Sequence, residues 1–131
     1  MTKRHFLEPL IGAGEGGHVL LNERTSETVA GTIELAVHSK ARTRGLLGRA
    51  GLTEGAVMII APCNAIHTFF MRFTIDVAFV DREGRVLKLC RQVRPWRVAV
   101  AATAFAALEF AAGSLDRVGV AKGDRLTIAQ T

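Results

Sequence analysis

Cysteine is scarce in this sequence: Cys63 and Cys90 are the only two in 131 residues. Two are too few for a disulfide scaffold, and they fit a reducing compartment in which both stay free thiols. Long apolar runs are missing as well. No segment approaches the roughly eighteen to twenty residues of a membrane-spanning helix, so no membrane partner is expected. The opening MTKRHFLEPLIGAGEGG starts basic, but Glu8 and Pro9 break the apolar stretch that a signal peptide needs. A cytoplasmic location follows as the expectation.

Two familiar signatures are also lacking in substance. Gly12 to Gly17 spell G-x-G-x-x-G, yet dinucleotide binding needs a strand before the glycines and a helix after them. Pro9 weakens the first, and HVLLNE reads as a strand rather than a helix, so no cofactor is expected. Residues 1–17 are taken as a flexible glycine-rich tail, leaving 18–131 as one domain. Cys63 and His67 form C-x-x-x-H, but a structural zinc site needs a second ligand pair that the chain does not offer. No metal is expected either.

What is present is a globular composition, 49% hydrophobic and 22% charged, enough for a core in a chain of this length. Thirteen glycines point to many turns and short strands. Of the 17 basic residues 13 are arginine, which favours planar, forked contacts with carboxylates or phosphates. The net charge of +5 is concentrated: neither 40–49 nor 85–97 contains an acid. These two basic segments could form an anion-attracting face or a merely solvated one.

Periodicity divides the chain into mostly extended pieces. HVLLN and the run from Val29 through Ile33 and Leu35 flank a polar NERTSE turn, which predicts an opening hairpin. Ser39 is a candidate N-cap for a short helix carrying Leu46, Leu47 and Ala50 on one face and closing at Gly48 or Gly51. GAVMIIA reads as a buried strand ending at Pro62. DREG turns a hairpin between Ile75–Val80 and Arg85–Leu89, although Val86, Leu89, Cys90 and Val93 also fall at helical spacing. ALEFAAG fits either state, and GDRLTIAQ closes as a strand. The sum is a mainly β fold with minor α, expected as a compact antiparallel β-barrel-like domain with one short helix after the opening hairpin.

The stretch IHTFFMRFTIDVAFVD, Ile66 to Asp81, carries four of the seven phenylalanines together with His67, Arg72 and Asp76. Polar groups inside so apolar a run must find partners. Asp76 shares a strand face with Ala78 and Val80, which places it in the core, held by a cation such as Arg72, His67 or Arg44 or by turn contacts. Glu109, between Leu108 and Phe110, is either a buried ion-pair partner or a pocket acid. Together RTRGLLGR, IHTFFMRFTIDVAFVDREGRV, ALEFAAG and VAKGDRL resemble the family called domain of unknown function 192, over roughly Val19 to Ile128. The resemblance implies a compact, mainly β domain and supports strand over helix at 85–89. Its motif positions fall on Arg42, Gly45, Leu46, Phe70, Met71, Asp76, Leu108, Glu109, Ala112 and Gly113. Thr74 stands where the family has proline. It implies no reaction.

Function therefore rests on the residues. Charged side chains sit in apolar runs, yet no set of nucleophile, base and orienting group can be assembled. The leading expectation is a non-catalytic cup lined by Arg44, His67, Arg72, Asp76 and Glu109. It would bind a small polar or anionic ligand or an acidic partner segment. The alternative is a small hydrolase or lyase using His67 with Asp76. Nucleic-acid binding through segments 40–49 and 85–97 is weaker, because base stacking needs exposed aromatics and only Trp96 reads as exposed.

Overall fold

The computed structural model describes residues 4–11 and 17–131. The GAGEGG motif, apart from Gly17, lies outside the described residues. A 3-10 turn, Glu8–Leu10, is followed by β1 (His18–Asn22), β2 (Glu27–Ala30), β3 (Thr32–Ala36), α1 (Ser39–Arg44), β4 (Ala56–Ile60) and β5 (Ala65–His67). Then come β6 (Ile75–Val80), β7 (Val86–Val93), β8 (Val98–Val100), β9 (Ala106–Ala111), α2 (Ser114–Arg117) and β10 (Leu126–Gln130).

The strands form three sheets, ordered β10-β1-β2, β3-β4-β9-β6-β7 and β5-β8. β1 and β2 make the expected opening hairpin. The run that begins in β2 does not continue as one strand. It breaks at exposed Gly31, the position where alternation fails, and β3 joins the five-stranded sheet. There β3 pairs in parallel with β4, with α1 in the connection between them.

These findings correct the barrel expectation. Among the described residues no sheet closes, since β3 and β7 remain as edges. The charged side chains Lys88 and Arg91 on β7 suit an edge that stays unpaired. The helix expectation is also corrected: α1 starts at Ser39, with His38 rather than Ser39 at the N-cap position, and stops at Gly45, so Leu46, Leu47 and Ala50 lie beyond it. Gly45 has φ +47° and ψ −124°, a conformation that glycine alone adopts without steric cost. Residues 85–93 are a strand, as the adjacent turn implied. A second helix, α2, spans only four residues and is too short to leave a period in the sequence.

The central strands β4, β9 and β6 of the five-stranded sheet are buried on both faces. Val57, Ile59, Ala78, Val80, Leu108 and Phe110 point to one core, which the three-stranded sheet covers with Leu20, Val29 and Leu126. Met58, Ile60, Val77, Phe79 and Ala107 point to a second core, closed by Leu46, Ile66 and Met71. This is the period-2 alternation of strands with both faces apolar.

The N-terminal segment belongs to the first core. Leu7 is fully buried there, Leu10 packs against it, and the Phe6 N–H donates to the Arg82 carbonyl at 2.7 Å. A flexible tail is therefore the wrong description for Arg4–Ile11. Apolar burial outweighs the glycine-rich composition that suggested it.

At the far end of the chain Asp124 is buried and accepts from Arg24 Nε (2.7 Å), Asn22 Nδ2 (2.8 Å) and the Ala121 N–H (2.8 Å). The Arg24 hydrogen bond, first among these contacts, lowers its carboxyl to about 2. A depressed carboxylate stabilises the fold above the unfolded pKa, and that contribution is lost as pH falls towards 2.

Leu7→Ala should lower stability by about 2–5 kcal/mol through the lost burial and the cavity left behind. A urea melt measures this. An unchanged midpoint would show that the segment does not contribute to the core.

Candidate functional site

Alternation along β6 and β9 decides where the two buried carboxylates go. In the β4-β9-β6 register, Glu109 lies between Met58 and Val77, on the face of the second core. Asp76 shares its face with Ala78 and Val80, on the side of the first core. The sheet separates the two groups.

Asp76 is fully buried and holds no cation among the described residues. Its Oδ1 accepts the Gln92 N–H at 2.9 Å and its Oδ2 the Leu115 N–H at 3.0 Å. Opposite Asp76 the ladder is irregular, with Ile75 facing Val93 and Val77 facing Cys90, and Gln92 is left-handed at φ +53°. The carboxylate thus supplies acceptors that the backbone does not. It ties a bulge in β7 to the start of α2, a turn contact rather than an ion pair. His67 is exposed on β5, stacks on Phe69 at 5.0 Å between centroids, and accepts the Phe69 N–H at Nδ1. The base-and-carboxylate arrangement of His67 with Asp76 is therefore not formed.

Glu109 occupies a different environment. It is 3% exposed on the central strand, between Met58 and Val77 in the ladder. Among the described residues no hydrogen bond or ion pair reaches its carboxyl. Desolvation raises that carboxyl to about 7, because burial penalises the charged form. It lies at an open cleft of about 410 Å³, lined by the end of α1 and the loop after it, the β4–β5 segment and β5. Arg42, Arg44, Cys63, His67 and Met71 also line this cleft. A Cβ built on Gly45 would stand 3.9 Å from Glu109 Oε1, so the turn after α1 passes directly over the acid.

Of the five residues proposed for a cup, Arg44, His67 and Glu109 share this cleft. Exposed Arg72 is not among its lining residues, and Asp76 is behind the sheet. Sequence reasoning did not place Arg42 and Cys63 here, although both stand in segments it had marked. Arg42 Nη1 donates to the Val37 carbonyl at 2.9 Å, which fixes its stem at the rim. Burial pushes the Cys63 thiol up, and its Sγ donates to the Ala65 carbonyl at 3.1 Å. It is a thiol, poorly suited to attack as a nucleophile. No cluster of three or more His, Cys, Asp or Glu able to hold a metal occurs among the described residues.

Residues 20–128 match the model of DUF192, described as an uncharacterized ACR. The chain belongs to this family. A UPF0127 protein from Thermococcus sibiricus is 34% identical over 83 residues, covering 60% of this chain and 53% of its own. The chain thus spans about half the length of that relative. A UPF0127 protein from Pyrococcus abyssi is 34% identical over 87 residues, covering 63% and 72%. Two solved structures share the DUF192 fold at a TM-score of 0.72. One, a protein of unknown function from Novosphingobium aromaticivorans, is 23% identical and aligns over 84% of this chain and 82% of its own. The other, a putative transcription regulator from Sinorhizobium meliloti, is 21% identical and aligns over 88% and 96%. The DUF192 motif position Gly45 is explained by its backbone, and Asp76 by its two amide contacts.

Two outcomes follow. Asp76→Ala should cost about 2–5 kcal/mol, since it strips the acceptor from two backbone N–H groups, whereas Glu83→Ala in the exposed turn should stay within about 0.5 kcal/mol. Chemical denaturation of both variants measures the contrast, and equal midpoints would refute the amide-tie role. For Glu109 the sign is reversed relative to Asp124. The folded state keeps a proton that the unfolded chain releases near its ordinary pKa, so stability falls as pH rises from about 4.5 to 7. The full effect is of order 3 kcal/mol. Glu109→Gln should flatten this slope and be the more stable protein at pH 8; a wild-type curve already flat over that window would contradict the burial argument.

Proposed function

We propose that the domain is a non-catalytic binding module that takes a small polar or anionic ligand into the cleft over Glu109. The observation that carries this reading is the buried Glu109 carboxyl, which borders an open cleft and has no partner among the described residues. A ligand donor would satisfy it, and the interaction would be strong because the surroundings are apolar. Arg42 and Arg44 bring positive charge to the same opening, suited to an anionic group on the ligand. The fitting ligand therefore joins a hydrogen-bond donor to a carboxylate or phosphate a few atoms away.

A catalytic alternative would have to run through Glu109 rather than through His67 with Asp76. A carboxyl near 7 can act as an acid or base at neutral pH, but the thiol character of Cys63 leaves no activated nucleophile beside it.

An NMR-monitored screen of amino acids, hydroxy acids and sugar phosphates tests the reading. Binders should shift the resonances of Gly45, Cys63 and Glu109 without being turned over. Arg44→Ala and Glu109→Gln should each weaken binding about tenfold or more, the scale of one charge-assisted hydrogen bond. Product formation from a bound compound would favour the catalytic alternative. Binding that leaves the cleft resonances unmoved would overturn the proposal.

A further inference from the structure

Beside the cleft, a second surface is apolar in a way the core does not require. Phe70 is 74% exposed, Val98 61%, Trp96 56% and Val100 48%. β5 and β8 pair with Ala65 opposite Val100 and His67 opposite Val98, so one face of this ribbon carries both valines. The ring cluster continues from it: Phe69 stacks on Trp96 at 5.8 Å between centroids, and Phe70 tilts against Trp96 at 4.6 Å.

The backbone holds these rings out at a cost. Phe70 and Trp96 are both left-handed, at φ +65° and +66°, a conformation that bulky residues rarely adopt. Buried Thr68 fixes both loops. Its hydroxyl donates to the Arg94 carbonyl at 2.6 Å and accepts the Arg97 N–H at 2.9 Å, and its carbonyl accepts the Trp96 N–H at 3.0 Å. Strain of this kind, held by surrounding structure, is a mark of functional surfaces.

The segments that build the patch carry charge of one sign. Residues 67–75 and 93–105 contain Arg72, Arg94 and Arg97 and no acid. All three arginines are exposed. Asp116 follows the Leu115 that Asp76 holds near the start of β6, and its carboxylate is taken up by Arg91 at 2.7 Å. Asp81 and Glu83 lie beyond the opposite end of β6. Only Arg97 uses its guanidinium locally, donating to the Trp96 carbonyl at 3.3 Å and the Pro95 carbonyl at 3.4 Å.

We propose that this face docks the protein peripherally on an anionic phospholipid membrane. The rings and valines enter the interfacial layer, and Arg72, Arg94 and Arg97 fork onto lipid phosphates. Tryptophan and phenylalanine suit that layer, and basic residues beside it gain from the negative surface. Two other occupants fit less well. A second copy of the chain would bring the arginines together with no acid to pair them. Single-stranded nucleic acid needs free ring faces, but here the rings already cover one another, and valines offer no stacking. His67, which stacks on Phe69, is shared with the cleft, but the docking valines, Phe70, Trp96 and the three arginines are not among its lining residues. The failure of this proposal would therefore leave the ligand-binding reading untouched.

Trp96 is the only tryptophan and therefore reports directly. With vesicles of phosphatidylcholine and phosphatidylserine its emission should shift to the blue, and the protein should co-sediment. Phosphatidylcholine alone should give little of either, and high salt should reverse both. Phe70→Asn removes the ring while tolerating the left-handed backbone. It should weaken vesicle binding about tenfold, the effect of one buried aromatic side chain, with an unchanged melting temperature. Arg94→Gln should weaken binding to the mixed vesicles selectively. The proposal is overturned by the absence of a blue shift on mixed vesicles. It is equally overturned by a shift indifferent to Phe70→Asn, by an equal shift with oligothymidylate, or by one that grows with protein concentration alone.

Discussion

The three central strands of the five-stranded sheet have no solvent face, and most of the architecture answers to that constraint. Every residue of β4 and β6 is buried, and so are the first five of β9. A carboxylate placed on such a strand cannot turn towards water. It must be satisfied on whichever side the pleat assigns to it. Asp76 and Glu109 face that requirement from opposite sides and meet it differently. Asp76 is saturated by amides and becomes a structural tie. Glu109 borders a cleft with no partner among the described residues, and burial holds its carboxyl up at about 7.

Much of this was legible in the sequence, for identifiable reasons. The strands around DREG, the closing LTIAQ and the buried VMII carry strong period-2 or β-rich signals with turn residues beside them. The resemblance to the family rested on motifs that the fold now explains: Gly45 needs a conformation without a Cβ, and Asp76 needs two amides within reach. What was not legible has physical causes as well. Parity along a strand says which residues share a face, but not which face another strand's residues share, so Asp76 and Glu109 were gathered into one cup. The sheet switch at Gly31 hid inside a run that looked continuous. The docking of Leu7 was masked by the glycines after it.

The exposed aromatics show a different limit. Phe69 and Phe70 stand in an apolar run, and composition alone assigns such residues to a core. Their outward orientation comes from a left-handed residue and from the hydrogen bonds of Thr68, neither of which leaves a hydrophobicity signal. The same run therefore supplies core residues at Ile75, Val77 and Phe79 and a surface cluster a few positions earlier.

The contact between Asn22 and Asp124 joins residues 102 apart in the chain, and it seals β1 against β10, the strands that roof the first core. Ordering so long an intervening segment is slow, because its entropy is lost before the contact rewards it. The β4-β9-β6 layer relies on closer neighbours and can assemble earlier, with one apolar side still uncovered. Until the terminal strands meet, that side is the part of the molecule most open to misassociation. The buried Asp124 carboxylate is thus a side-chain tie that holds this roof in place.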